Sequence, residues 1–305
     1  MKKTTQKQAV DLGMEFLIAR NKDPENILYK GYPTPYSGMN FYFTGGLKPT
    51  EFSIWAARPS VGKTALLLDL AEAHADYGFP GLYFNLEMSE LQIGLRLIAK
   101  RAGVNLAALA DEQQDDAIMQ GISEASKFSD ATADLTIYSG SFSVEQLKHV
   151  VEEYDQNNST HQSAIIYVDY LQLVSLEEGG GTRQQDLGKI SRALKNDVAM
   201  GMGKHVAAAA QLSRKVEERE DRRPMMSDLR EAGDIEQDAD IVALLFRPSY
   251  YNLAEYTSKN NNRVVGYPDI NEYLEVNLDK NRNGPTGVCD LFYDTSLGRF
   301  ADWSV

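Results

Sequence analysis

Residues 57–64 read Ala57-Arg58-Pro59-Ser60-Val61-Gly62-Lys63-Thr64. The apolar run Phe52–Ala56 before them has the length of a buried strand, and Lys63–Tyr77 after them has the apolar spacing of a helix. A glycine-bearing turn between a strand and a helix start is a phosphate cradle, because N–H groups of the turn and of the helix N-terminus converge on an anion. Gly62 lets the backbone approach closely. Lys63 offsets the charge of the terminal phosphates, and Thr64 offers a hydroxyl to Mg²⁺. Arg58, Pro59, Ser60 and Val61 complete the turn. The first position departs from the usual glycine, since the small residue Ala57 stands there. The segment reads as a P-loop for ATP and Mg²⁺.

The strand–helix alternation continues along the chain. Strands are expected at Phe52–Ala56, Leu82–Leu86, Leu135–Tyr138, Ala164–Asp169, His205–Ala210, Ile241–Phe246, Tyr273–Leu278 and Val288–Tyr293. Helices are expected at Lys63–Tyr77, Ser89–Ala102, Asp111–Ser129, Ser143–Gln156 and Gln184–Met202. This pattern gives an α/β fold with a mostly parallel sheet flanked by helices and an antiparallel hairpin at its far edge. Tyr250–Asp269 is polar and reads as a solvent loop. Residues 4–21 read as an amphipathic helix, with Thr5 and Gln8 as a capping box. Val10, Met14 and Leu17, beside Phe16 and Ile18, form its apolar stripe. That stripe needs cover, either from the chain's own core or from a neighbouring subunit.

The chain has 305 residues, 43% of them hydrophobic, which suffices for one large domain core, or for one core plus a small appendage. No apolar run is long enough to span a bilayer, and the basic N-terminus leads into no signal core, so a cytoplasmic protein is expected. The single cysteine, Cys289, excludes an intrachain disulfide and a cysteine-rich zinc site, and reads as a small apolar strand residue. A net charge of −13 argues against a surface that coats nucleic acid as a whole, but leaves room for a local basic lining.

Three strand ends carry polar residues on the side where ligands bind such sheets. Asp169 closes Ala164–Asp169 and suits an acid that orients Mg²⁺ through water. Glu87 follows Leu82–Leu86; it is either a general base facing the terminal phosphate or an exposed carboxylate before the Ser89 helix cap. Gln211 follows His205–Ala210; it is either a sensor of the terminal phosphate or a polar turn residue. Arg214–Arg223 mixes five basic with four acidic residues and reads as a solvated, salt-bridged face.

Several segments together resemble the DnaB-type replicative helicases in their RecA-like C-terminal domain. They are Gly31-Tyr32-Pro33-Thr34, the P-loop from Ala56, Leu86-Glu87-Met88, Asp169-Tyr170-Leu171-Gln172-Leu173 and Gln211-Leu212-Ser213. Ser227-Asp228-Leu229-Arg230-Glu231-Ala232-Gly233, Ile235–Asp240 and Lys280-Asn281-Arg282-Asn283-Gly284-Pro285 complete the set, in the family's order. The resemblance covers about residues 31–305, with residues 1–30 as a linker-type helix and connector.

The resemblance implies a homo-oligomeric ring, usually of six subunits, that hydrolyses ATP at subunit interfaces and moves 5′→3′ on single-stranded DNA. It implies Glu87 as catalytic base, Asp169 as the Walker B acid and Gln211 as the link between nucleotide and DNA loops. Lys280 and Arg282 resemble the cations that reach the neighbouring subunit's terminal phosphate; read from the residues alone they are a solvated pair on an edge hairpin. Arg230, Glu231 and Gly233 match the loop that tracks the strand's phosphates, which carry little sequence information. Glu177–Arg183 reads as a second channel loop with Arg183 as a phosphate contact, or equally as a flexible linker. Primase and a helicase loader are the further partners implied. Family members usually carry an additional N-terminal helical domain, whereas about thirty residues precede the core here, as in a short, phage-type member or a motor domain cut from a longer protein. Two other classes stay open: a RecA- or KaiC-like ring or filament ATPase that does not unwind, and a nucleotide-binding scaffold.

Overall fold

The computed structural model describes residues 6–23, 25–110, 116–129, 135–159, 162–260 and 264–303. Helix α1 (Gln6–Lys22) and the short helices α2 (Ile27–Lys30) and α3 (Ser37–Tyr42) precede β1 (Phe52–Ala57). Then follow α4 (Lys63–Asp76), β2 (Gly81–Asn85), α5 (Glu90–Ala102), α6 (Asp116–Ser129), β3 (Leu135–Ser139), α7 (Val144–Asn157) and β4 (Ile165–Asp169). Helix α8 (Arg183–Ala193) continues as a π-helical stretch, Leu194–Met200, into β5 (His205–Gln211). A short helix α9 (Gly233–Asp238) leads into β6 (Ile241–Phe246). The last strands are β7 (Glu255–Thr257), β8 (Val264–Gly266), β9 (Tyr273–Asn281), β10 (Gly287–Asp294) and β11 (Arg299–Asp302).

Nine strands form one sheet in the order β11-β10-β9-β6-β1-β5-β4-β2-β3. From β6 to β3 all neighbours are parallel; β9, β10 and β11 add antiparallel partners at the other side. The central strands are buried on both faces, which is why β1 and β4 read as unbroken apolar runs rather than alternating ones. Trp55, Leu66, Tyr83 and Tyr167 belong to the core on one face, and Ile54, Phe84, Val168 and Leu194 to the core on the other. Strand β5 consists largely of Ala207–Ala210, residues with little strand propensity, held in place by β1 and β4 on either side. Local signals set the helix starts: Ser89 with Gln92, Ser143 with Gln146, and Thr182 with Gln185 form capping boxes on α5, α7 and α8.

The expected α/β fold and its parallel sheet are present, with four differences of detail. Tyr250–Asp269 is not a solvent loop: β7 and β8 pair as a hairpin whose Val265 packs with Ile270 and Tyr273. Two of its polar residues bind inward, since Ser258 and Asn260 donate to the buried Asp290 carboxylate of β10. Arg214–Arg223 is not wholly a solvated face, because Arg223 is buried against the fully buried Glu275 of β9 and Arg219 clasps Asp228. Lys280 and Arg282 are not on an edge hairpin, since β10 and β11 lie outside β9. The strand β11 is additional to those expected.

Helix α1 spans the expected segment, although Thr5 of the expected capping box lies outside the described residues. Its Val10, Met14, Leu17 and Ile18 are all exposed, so the chain's own core does not cover these four; the Phe16 side chain lies outside the described ones. No helix among the described residues is long and apolar enough to cross a membrane.

Candidate nucleotide site and its surroundings

The cradle is built at the C-terminal end of β1, where the strand order leaves a crevice between neighbouring connections. Ala57 is still in the strand, paired with Gln211 of β5 and fully buried, so the small side chain suits the first position. The turn passes through positive φ at Ser60 (62°) and Gly62 (129°) before α4 begins at Lys63. A Cβ added at Gly62 would lie 2.9 Å from the Tyr293 ring, so space and backbone both demand glycine. No side chain caps α4 and its first turn holds no acid, which leaves N–H donors and the positive end of the helix free for an anion.

Behind the turn the sheet brings three sequence-distant groups together. Asn85 of β2 pairs with Asp169 of β4, so Glu87, two residues on, emerges beside the Asp169 strand end. Asp169 is fully buried; its Oδ2 accepts from the Tyr83 hydroxyl at 2.9 Å, while Oδ1 has no hydrogen-bond partner. Burial pushes its carboxyl above the usual range, against the opposing effects of Thr64, Tyr83 and Lys63. Lys63 is buried, with its ammonium 5.3 Å from the Tyr170 ring centroid. Burial lowers its pKa, and the charges of Asp169 and Glu87 oppose that shift. Glu87 itself is exposed at the mouth. An orphaned carboxylate oxygen beside the Thr64 hydroxyl is a hard-oxygen donor set that fits Mg²⁺ carrying its own waters. The described residues hold no group of three His, Cys, Asp or Glu side chains that could hold a metal ion by themselves.

Arg58 belongs to the turn by its backbone, while its side chain is engaged elsewhere. Its guanidinium turns away from the cradle, donating to the Leu212 carbonyl at 2.8 Å and pairing with Glu217 at 2.7 Å. Gln211 closes β5, and Gln172 braces its backbone by accepting from its N–H and donating to its carbonyl, each at 3.1 Å. Arg58, Gln172, Gln211, Ser213 and Asp228 line one open cavity, joined by Arg183, the first residue of α8 rather than part of a loop. Arg230 and Glu231 lie in the 3₁₀ segment Met226–Ala232, and Gly233 opens α9; their side chains lie outside the described ones.

Lys280 and Arg282 sit at the opposite end of the sheet from the cradle. Lys280 of β9 pairs with Val242 of β6, which pairs with Ile54, three residues short of the end of β1. That is about 10 Å back along the strand. Lys280 Nζ then reaches farther away, to the Glu236 carbonyl at 2.6 Å, and Arg282 Nη1 reaches Asp240 at 2.9 Å. Neither cation approaches its own chain's phosphate turn.

A flat-sided group beside the cradle escaped sequence reading. Arg247, just beyond β6, lies 5.8 Å from the Tyr250 ring centroid and 5.7 Å from that of Tyr293, the ring against Gly62. Its buried Nε has no hydrogen-bond partner. Tyr293 stacks in turn on Phe300 at 4.2 Å. Only the sheet unites these residues, and no local spacing signals them. Arg96 of α5, half-buried, places further positive charge near Asp169.

Comparison with known proteins bears on the family and the fold. The family described as DnaB-like helicase C terminal domain matches residues 31–302. The chain is 34% identical to a probable replicative DNA helicase of Trieres chinensis, over 97% of this chain and 62% of that protein. It is 35% identical to the replicative DNA helicase DnaB of Geobacillus stearothermophilus, over 93% of this chain and 59% of that one. It thus spans about three fifths of the length of these curated relatives. Among solved structures, one described as an ATPase domain superposes with a TM-score of 0.83 at 28% identity, covering 99% of this chain and 100% of that one. A DnaB-like replicative helicase, whose structure is described together with its interactions with primase, gives 0.84 at 30% identity over 100% of this chain and 68% of that one. With its RecA-like sheet, its P-loop and this match over almost its whole length, the chain belongs to the DnaB-like helicase C-terminal domain family.

Proposed function

We propose that the chain is the ATP-driven motor of a replicative DNA helicase, acting as a ring of copies, six by family resemblance, around single-stranded DNA in the cytoplasm. The observation that carries this reading is the separation between the cradle at Lys63 and the cations Lys280 and Arg282 at the other end of the same sheet. A nucleotide in the cradle meets such cations only if a second copy presents them, so hydrolysis depends on assembly.

In this reading the turn Arg58–Thr64 and the N-terminus of α4 bind the phosphates through backbone N–H groups, and Lys63 neutralises their charge. Thr64 and Asp169 hold Mg²⁺, Asp169 through a water, and the ion supplies charge neutralisation on the phosphate oxygens. Arg247, Tyr250 and Tyr293 offer a guanidinium and aromatic faces to the base. Glu87, exposed at the mouth, polarises the attacking water. Gln211 meets the terminal phosphate and passes its presence through Leu212 and Ser213 to the segment 226–233. Lys280 and Arg282 of the adjoining copy stabilise transition-state charge. Arg230, Glu231, Gly233 and Arg183 contact the strand, a local basic track compatible with an acidic whole.

The unit 31–305 is the motor, and the exposed stripe of α1, within residues 1–30, packs on the adjacent copy. By family resemblance movement runs 5′→3′, and primase and a loader are partners of the ring.

The test is ATPase activity with and without single-stranded DNA, alongside strand separation on a forked duplex. Stimulation by the strand and ATP-dependent unwinding are expected, and Lys63→Ala should abolish both. Turnover that ignores the strand, in a preparation that never unwinds a fork, would remove the motor reading.

A further inference from the structure

Lys280 and Arg282 are not free cations in the subunit. Lys280 Nζ donates to the carbonyl of Glu236 at 2.6 Å and lies 3.5 Å from that of Gln237. Arg282 Nη2 donates to the Gln237 carbonyl at 3.1 Å. These two carbonyls belong to the last turn of α9, where free acceptors and the negative end of the helix favour cations. Arg282 Nη1 is held at 2.9 Å by Asp240, two residues past the helix.

Asp240 is itself fixed. It is 3% exposed, and its Oδ2 accepts from the Phe52 N–H at 2.8 Å and from Lys195 Nζ at 2.6 Å. Backbone bonds from Asp240 N to Phe52 O and from Arg282 N to Asp240 O, each 2.8 Å, tie the same point to the start of β1 and to the end of β9. The β6–β9 register slips between Val242 and Ala243, next to this knot. At its other end α9 begins with Gly233, shortly after Arg230 and Glu231. The helix is six residues long, about 9 Å. Ile235 on it is fully buried in the core, which anchors the short helix as one packed turn.

We propose that the last turn of α9 and the Asp240 carboxylate form a seat that aims Lys280 and Arg282, and that through α9 the seat reports strand contact at residues 230–233 to the nucleotide held by the next subunit. Asp240 is a positioning residue: it touches neither phosphate nor strand and acts through Arg282. The inference rests on the reading of Lys280 and Arg282 as cations acting on the neighbouring site and of residues 230–233 as the strand contact. It adds the physical connection between them. A phosphate drawn onto the backbone at Gly233 shifts α9, and the carbonyls that hold the two cations shift with it.

The test uses the full chain, with a thymidine homopolymer as strand and steady-state hydrolysis as readout. Asp240→Asn keeps the side chain's size and removes the charge that orients Arg282. Strand-stimulated kcat should fall roughly tenfold, with KM for ATP·Mg²⁺ and affinity for the homopolymer both within about twofold of wild type. Asp240→Glu should restore part of the stimulation. Lys195→Met, which removes the other cation paired with Asp240 but leaves Arg282 seated, should keep it.

A second pair of variants works at an exposed position and leaves the buried knot intact, so it reads the seat even if Asp240→Asn fails to fold. Gln237→Gly loosens the last turn, whereas Gln237→Ala preserves it. Lost stimulation in the glycine variant alone supports the seat. Wild-type stimulation in both Asp240→Asn and Gln237→Gly overturns it. If wild type itself shows no stimulation, or Arg282→Ala hydrolyses normally, the underlying motor reading has failed instead.

Discussion

Arg58 leaves the phosphate turn and donates to the carbonyl of Leu212, 2.8 Å away on the loop that follows Gln211. Its Nε is engaged by Glu217 from the 3₁₀ segment beyond. The turn that would hold phosphate and the loop that leads toward Arg230 are therefore joined by one buried guanidinium. Onward, the Ser213 N–H donates to the Asp228 carbonyl at 3.0 Å, and Arg219 clasps the Asp228 carboxylate.

Replacing Arg58 by methionine should therefore destabilise the subunit even though no phosphate contact is lost. The Leu212 carbonyl would be left without its donor in a buried setting, at a cost of about 2 kcal/mol. Glu217→Gln should cost well under about 1 kcal/mol, because that carboxylate is 43% exposed and its pairing is screened. Urea midpoints of the two variants check the ordering. Equal, negligible shifts would show that the Leu212 bond contributes nothing.

Asp169, proposed above to hold Mg²⁺, is kept in the fold at the expense of stability. Its folded pKa is raised by burial. The folded state then binds a proton more readily than the unfolded state between the ordinary carboxylate pKa and the raised one, so stability falls as pH rises through that window and the full penalty stands at neutral pH. Asp169→Asn keeps an acceptor for the Tyr83 hydroxyl and removes the unpaired charge. In Mg²⁺-free buffer at pH 7 it should raise the unfolding free energy by about 1 kcal/mol, while hydrolysis drops by about two orders of magnitude or more. A thermal melt and a turnover assay on the same preparation check both signs.

His74 and His205, both buried, act in the opposite direction. Burial is the main cause that lowers His74 to about 3 and His205 to about 4 from the ordinary 6.5. The His205 ring is bonded to the Lys48 carbonyl at 2.9 Å and to the Ser53 hydroxyl at 2.9 Å, and the Lys48 bond opposes the lowering that burial causes. The stability these groups contribute is complete above pH 6.5 and is lost as pH falls toward their folded values. Together they should remove about 2.7 kcal/mol per pH unit between about pH 6 and 4. Denaturant midpoints across that range, for wild type and for His205→Gln, isolate the effect, because the variant should lose half of this slope. Identical slopes would show that His205 does not titrate on unfolding.

Much of the fold is legible in residues 57–64 and in the apolar runs. The P-loop sets β1 and α4 in relation to each other, and Ile241–Phe246 is bounded correctly from its unbroken apolar character alone. Asp169 and Glu87 can be placed at strand ends, but only the β2–β4 register puts them beside Lys63. Tyr250–Asp269 misleads because its lysine and asparagines obscure the few apolar residues that pack. Its compensation, the Asp290 carboxylate on β10, lies thirty positions away from Asn260. Arg223 reads as part of a solvated face for the same reason, since its partner Glu275 is non-local. The stack of Arg247 on Tyr250 and Tyr293 has no local signature, and β11 is a four-residue edge strand with too little apolar character to announce itself. Lys280 and Arg282 are found through the family segment that contains them. Their distance from their own phosphate turn is a property of the sheet.

That distance is tested most directly by mixing two inactive variants. Lys63→Ala lacks a working cradle but keeps its cations, and Arg282→Ala keeps its cradle but lacks one. Each alone should hydrolyse ATP at about 1% of wild type or less. When the two are mixed and allowed to exchange subunits, interfaces form in which an intact cradle faces intact cations, and a substantial fraction of wild-type turnover should return. Mixtures as inactive as their parents, or an Arg282→Ala variant that turns over normally by itself, would contradict the insertion of one copy's cations into the site of another.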